Sequence, residues 1–68
     1  MNHSQLIADR IRNTLILKGI TQSGLGARMN LNHSTITNWL SGNYNFSLLT
    51  INKIEKALNI KLIEVIRG

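Results

Sequence analysis

Residues 21–42, TQSGLGARMNLNHSTITNWLSG, decide the fold of this chain. Apolar residues recur at three- and four-residue spacing on both sides of the NLN triplet at residues 30–32, and this spacing is typical of amphipathic helices. The triplet itself breaks the pattern, because asparagine is a common residue at helix ends. The stretch therefore predicts two short helices joined by a tight turn. Their inward-facing residues are Leu25 and Met29 in the first helix and Ile36, Trp39 and Leu40 in the second.

Residues suited to helix ends lie at both ends of each predicted helix. Thr21 and Asn32 are N-cap candidates, because their side-chain oxygens can accept hydrogen bonds from the free N–H groups of a first turn. Asn30 tolerates the left-handed conformation that ends many helices, and Gly42 marks the end of the second helix. Leu31 is expected to tuck under the turn.

Gly24 and Gly26 lie inside the first helix of this pair, where each glycine costs roughly 1 kcal/mol against alanine. We therefore expect this helix to depend on packing for its stability. Two small residues would also allow it to cross the second helix closely.

One helix is predicted on each side of the pair. The earlier one takes Ser4 as its N-cap and stops at Gly19, and the later one follows the cap residue Ser47. Residues 15–17 (LIL) cannot all face one core, so part of that run is expected to be exposed or to meet a partner. The predicted inner faces are Leu6, Ile7, Ala8, Ile11 and Leu15 in the earlier helix and Leu48, Ile51, Ile54, Ala57 and Leu58 in the later one.

The C-terminal tail changes character. The run IKLIEVI at residues 60–66 is rich in β-branched residues and predicts a short β-strand over residues 60–67. A continued or folded-back helix is the alternative. Because a single strand leaves its backbone groups unpaired, we expect it to pair with the same strand of a second copy and form a homodimer.

The length of 68 residues predicts a single domain over residues 1–68, with its core in residues 4–60. Cysteine is absent, and the two histidines, His3 and His33, lie far apart in the sequence. Neither a disulfide nor a structural zinc site is therefore expected, and no cofactor is predicted. Helix packing or oligomerisation must stabilise so small a chain.

Eight Lys and Arg residues against three Asp and Glu residues give a formal net charge of +5. This balance favours a polyanionic partner, with nucleic acid first and an anionic membrane second; charge that serves only solubility is the alternative. No segment approaches the roughly 20 apolar residues of a membrane span, and the N-terminus has no secretory signal pattern. The expected location is the cytoplasm, in association with the nucleoid.

Catalysis is not expected. The chain has no nucleophile, base and acid in a recognisable set, and no glycine-rich loop for phosphate. Gly24 and Gly26 lack the third glycine and the preceding strand of a dinucleotide-binding fingerprint.

Residues 21–42 resemble the helix-turn-helix of the phage-repressor and Cro-like family, also called the XRE family. The resemblance rests on an ordered set of weak motifs and extends over about residues 6–60. Three positions depart from the usual pattern: Gly26 stands for alanine, Asn30 for the turn glycine, and Leu40 for an acidic residue near the end of the third helix. Thr14 and Leu15 depart as well. The residues that carry the resemblance are Ile11, Arg12, Lys18, Gly19, Ile20, Thr21, Gln22, Leu25, Gly26, Asn30, Asn32, Ile36, Gly42, Leu48, Ile54, Ala57 and Leu58.

The resemblance implies a mainly α, lambda-repressor-like domain of four to five helices that binds double-stranded DNA. The second helix of its motif, about residues 33–40, would enter the major groove. Side chains implied to contact bases are His33, Ser34 and Asn38, with Thr35 on the same outward face. Gln22, Arg28 and Lys18 would contact phosphates, and the DNA backbone would be contacted by Thr37, Ser41, Asn43 and Asn45.

A transcriptional repressor is the implied role, because the chain has no evident activation or effector domain. The alternative is a protein-interaction module, an antitoxin or anti-repressor that captures a toxin or another protein through residues 15–17 or the tail. RNA binding is a third hypothesis.

Overall fold

The computed structural model describes residues 3–62 of the chain, and they form a mainly helical domain. The helices are α1 (His3–Lys18), α2 (Gln22–Met29), α3 (His33–Leu40) and α4 (Leu48–Leu58). The described residues contain no β-strand. Most of the predicted C-terminal strand, residues 63–67, lies outside the described part of the chain, and residues 60–62 carry no regular secondary structure.

The turn between α2 and α3 is built as the sequence predicts. Asn30 adopts the left-handed conformation, with φ 56° and ψ 44°. Its N–H donates to the carbonyl of Ala27 (3.3 Å), and the N–H of Leu31 donates to the carbonyl of Gly26 (2.8 Å). These two bonds form a Schellman motif, which satisfies carbonyls that a helix end leaves free. Asn30 therefore completes the turn in place of glycine.

The cap predictions on α2, α3 and α4 are confirmed. Thr21 Oγ1 accepts from the N–H of Gly24 at 2.9 Å, and Asn32 Oδ1 accepts from the N–H of Thr35 at 3.0 Å. Ser47 Oγ accepts from the N–H of Thr50 at 3.2 Å. Each of these bonds satisfies an N–H group that the first helical turn leaves unpaired. The two remaining predicted helix ends, Gly19 and Gly42, have positive φ angles of 66° and 87°, and Asn59 at the end of α4 has a φ of 55°.

The two glycines of α2 have different surroundings. A Cβ on Gly26 would lie 2.7 Å from the backbone oxygen of Leu31, so the close approach at this point is to the turn that leads into α3. A Cβ on Gly24 would meet only side-chain atoms of Thr21 and Ile20, at 3.2 and 3.4 Å. The expected close crossing therefore applies to Gly26 and is wrong for Gly24.

One hydrophobic core joins the four helices. α3 packs against α1 and α2, and α4 packs against α2. Leu62, beyond the end of α4, is fully buried, and its N–H donates to Glu55 Oε2 at 2.7 Å. The structured chain therefore continues past residue 60. The buried core residues are Ile7, Ile11, Leu15, Leu25, Ile36, Trp39, Leu40, Ile51, Ile54, Leu58 and Leu62.

Three local predictions are wrong. Ser4 lies inside α1, which begins at His3 and not after Ser4. Leu48 is 61% exposed: it is the first residue of α4, and the Cβ of a helical residue points back toward the N-terminus, beyond the packed surface. Leu31 is still 36% exposed at the turn. The predicted exposure within residues 15–17 is confirmed, because Leu15 is buried while Ile16 and Leu17 lie at the surface.

Candidate nucleic-acid interface

The third helix has one buried face and one polar face. Ile36, Trp39 and Leu40 are buried in the core. The residues on the other side are hydroxyl and amide side chains, and they line an open surface depression of about 670 Å³. No residue around this depression carries a formal charge. Its lining consists of Ser34, Thr35, Thr37, Asn38, Ser41 and Tyr44.

Four of the predicted contact residues on α3 thus lie together in this depression with Ser41. His33 lies beside it and is linked to it: its Nδ1 is 3.4 Å from Thr37 Oγ1, at the long end of hydrogen-bond distance. With Nδ1 turned toward the helix, Nε2 is the ring nitrogen left for an external partner.

Hydrogen bonds within the site restrict several of these hydroxyl groups. Ser41 Oγ donates to the carbonyl of Asn38 at 2.7 Å and accepts from the N–H of Asn43 at 3.2 Å. Its hydroxyl proton is therefore used locally. At the other end of α3, the hydroxyls of Ser34 and Thr35 both donate to Asn32 Oδ1, at 2.7 and 3.0 Å.

Arg12 holds the C-terminal end of α3 against α1. Its Nη2 donates to the carbonyl of Leu40 at 2.7 Å, and its Nη1 pairs with Asp9 Oδ1 at 3.0 Å. Asp9 also accepts from Gln5 Nε2 at 3.0 Å. A cation beside the last carbonyls of a helix is favoured by the helix dipole. Leu40, which stands where the family pattern has an acidic residue, therefore makes a polar contact through its backbone carbonyl.

The segment after α3 is fixed by an aromatic cluster. Tyr44 and Phe46 lie edge to face, with ring centroids 4.8 Å apart, and both pack against Trp39 at 6.2 and 6.1 Å. Such tilted arrangements are favourable for aromatic rings. Tyr44 is half-buried, so it supports this loop and also forms one wall of the depression.

The predicted cationic contacts lie away from the depression. Arg28 lines a separate cleft with Lys53 and Lys56 of α4, and Lys18 lies in the last turn of α1. Gln22 is exposed as the first residue of α2, next to the Thr21 cap. Asp9 and Arg12 form an ion pair with an N–O distance of 3.0 Å. Arg28, Lys53 and Lys56 lie together on a surface apart from the uncharged face of α3.

Sequence reasoning missed two contributors to this site. Asn32 was assigned a capping role alone, yet it also orders two neighbouring hydroxyls. Arg12 was named only as part of the family pattern. It contacts the backbone carbonyl of Leu40, 28 positions later, and the identity of the Leu40 side chain does not indicate this contact.

Within the described residues, no three His, Cys, Asp or Glu side chains lie together where they could hold a metal ion. No helix in this part of the chain is both long enough and apolar enough to cross a membrane.

Comparison with known protein families gives one match. A family model described as helix-turn-helix matches residues 11–65, which include the second half of α1 and all of α2, α3 and α4. No curated protein matches the chain.

Proposed function

We propose that this chain is a transcriptional repressor which places α3 in the major groove of double-stranded DNA. The premise is that the chain belongs to the XRE-type helix-turn-helix family and is a sequence-specific DNA-binding regulator. The proposed acting unit is a homodimer of single domains over residues 1–68. The proposed place of action is the nucleoid, in the cytoplasm.

The observation that carries this proposal is the polar, uncharged outer face of α3. The major groove of B-DNA admits an α-helix, and its base edges offer hydrogen-bond donors and acceptors that differ between base pairs. Ser34, Thr35 and Asn38 supply uncharged partners for those edges on the N-terminal and central turns of α3, and His33 lies beside them. Asn38 is suited to an adenine edge, and the absence of arginine from this face speaks against a site rich in guanine.

Phosphate contacts are proposed for residues around this face. Gln22 lies at the N-terminus of α2, where free backbone N–H groups favour an anion. Arg28 and Lys18 are proposed to add charge, and Thr37, Ser41 and Asn43 to contact the DNA backbone at the end of α3. Ser41 would do so by redirecting its hydroxyl proton from the Asn38 carbonyl to a phosphate oxygen, because phosphate oxygens only accept hydrogen bonds. Phosphate contacts supply much of the affinity and its salt dependence, while base contacts supply specificity.

A dimer is proposed because one helix-turn-helix unit covers only half of a two-fold site. The repressor role is favoured because a DNA-bound domain can block a promoter by occupying it.

The second candidate function, an antitoxin or anti-repressor, is supported by exposed apolar side chains. Ile16 and Leu17 at the end of α1 are 72% and 85% exposed. Leu48 and Leu49 at the start of α4 are exposed as well. Copurification of a toxin that is lost in an Ile16→Ser, Leu17→Ser variant would support this function. DNA binding by the same variant would show that the two functions use separate surfaces.

Selection of binding sites from random duplex DNA tests the main proposal. We expect one enriched sequence with two-fold symmetry and half-sites about one helical turn apart. No enrichment over the starting pool, or equal enrichment from an RNA pool, would contradict the proposal. An enriched but asymmetric site would contradict the dimer alone.

A further inference from the structure

The N-cap of α3 does more than satisfy a backbone group. Asn32 Oδ1 accepts three hydrogen bonds at once: from the Thr35 N–H at 3.0 Å, from Ser34 Oγ at 2.7 Å and from Thr35 Oγ1 at 3.0 Å. An N-cap needs only the first of these. The two hydroxyl bonds are therefore an additional feature of this chain, and they lie at the end of α3 that faces the proposed base edges.

The direction of these bonds follows from the chemistry of the groups. A backbone N–H can only donate, so the atom that meets Thr35 N must be the amide oxygen of Asn32 and not its NH₂ group. That oxygen carries no hydrogen, so both hydroxyls must donate to it. Ser34 and Thr35 then have their single protons directed toward Asn32, and only their lone pairs remain for an external partner.

Both hydroxyl residues border the depression on the outer face of α3. Ser34 is exposed and Thr35 is half-buried. A free serine or threonine hydroxyl can donate or accept, so it distinguishes bases poorly. A hydroxyl whose proton is held elsewhere acts only as an acceptor.

We propose that Asn32 is a specificity-determining positioning residue, which makes the hydroxyls of Ser34 and Thr35 into acceptors for exocyclic amino groups of bases. This inference rests on the proposed insertion of α3 into the major groove. The amino donors in that groove are adenine N6 and cytosine N4, whereas guanine and thymine present oxygen acceptors. The strand in contact with Ser34 and Thr35 must therefore carry adenine or cytosine opposite the N-terminal turn of α3. The oxygen acceptor of a guanine or thymine at this place would face the lone pairs of the two hydroxyls, and no hydrogen bond would form.

Two variants of Asn32 separate this role from capping. Asn32→Gly removes the acceptor, and glycine at an N-cap costs only a few tenths of a kcal/mol. Asn32→Asp keeps an acceptor oxygen and is an equally good cap. Unfolding by urea should show that both variants are folded, and site selection is then repeated with each. Should Asn32→Gly fail to fold, Ser34→Ala and Thr35→Val remove the hydroxyls directly and serve in its place.

We expect the original chain and Asn32→Asp to select the same base pair at one half-site position, with its adenine or cytosine on the contacted strand. Asn32→Gly should lose that preference by about fivefold or more, the lower end of the effect of one mismatched base pair. Replacing a selected adenine by purine, which lacks the 6-amino group, should weaken the original chain by a similar factor and leave Asn32→Gly unaffected.

An unchanged preference in folded Asn32→Gly would overturn the inference. Unchanged binding of the original chain after removal of the amino group from the adenine or cytosine of that base pair would also overturn it. Failure of the original chain to select any DNA site would instead contradict the proposed function, so the two failures are distinguishable.

Discussion

Single residues determine how α3 is held, and Arg12 is the clearest case. The family pattern indicates an acidic residue at position 40, but this chain has Leu40, whose side chain is buried. The Arg12 guanidinium contacts the carbonyl of that residue instead and is oriented by Asp9. Sequence reasoning predicted the caps at Thr21, Asn32 and Ser47, because capping depends on side-chain type. It could not predict the Arg12 contact, because every residue has a carbonyl group.

Replacing Arg12 by methionine keeps the aliphatic stem and removes the hydrogen bond to Leu40. We expect the free energy of unfolding to fall by about 1 kcal/mol, below the usual range for a charged hydrogen bond, because the Arg12 side chain is 45% exposed. Urea denaturation measures this change. Arg10→Met, an exposed position on the same helix, is the matched control. Equal stability of the two variants would show that the hydrogen bond between Arg12 and Leu40 does not contribute to the free energy of unfolding.

At the scale of elements, residues 21–42 were predicted most closely. Both helices and the turn follow from apolar spacing, two polar caps and Asn30, so local sequence contains the information. The first turn of α4 was predicted less well, because spacing alone placed Leu48 inside and the helix begins too late to bury it. The burial of Leu62 was also missed, because it depends on tertiary packing against the core beyond the end of α4.

The left-handed turn residue gives a test of the α2–α3 unit. Asn30→Ala should lower the free energy of unfolding by about 1–2 kcal/mol, the cost of the left-handed conformation for a residue with a Cβ. Asn30→Gly should be as stable as the original chain or more stable, because glycine adopts this conformation readily. Thermal and urea unfolding of both variants give the comparison. Asn59→Ala, at the left-handed end of α4, is the control and should show a similar loss.

If Asn30→Ala were as stable as the original chain, the turn would not depend on the conformation of this residue. A large loss in Asn59→Ala without one in Asn30→Ala would lead to the same conclusion.

In the molecule as a whole, a cluster of cations lies apart from the uncharged face of α3 that we propose contacts the bases. The outer face of α3 is neutral, while Arg28, Lys53 and Lys56 lie together on another surface. The net charge of +5 predicted a polyanionic partner, and DNA, the partner of this family, is a polyanion. Composition could not place the cations, since their positions depend on the packing of α2 against α4.

Removal of residues 63–68 tests the proposed dimerisation by the C-terminal tail. The truncation must retain Leu62, because that residue is part of the core and bonds to Glu55. We expect a folded monomer that binds its site more weakly, as measured by sedimentation equilibrium and DNA titration. A truncated chain that still dimerises would place the dimer interface elsewhere. Leu62→Ala is the control for core damage, and it should reduce stability without changing the oligomeric state of the folded fraction.

The most direct test of the account is the ratio of specific to nonspecific DNA affinity for Asn38→Ala, measured over a series of salt concentrations. The account predicts that this ratio falls by about fivefold or more, while the slope of affinity against salt stays unchanged because no phosphate contact is lost. Asn52→Ala, an exposed amide on α4, should change neither quantity. An unchanged ratio for Asn38→Ala would contradict the assignment of the outer face of α3 to base recognition.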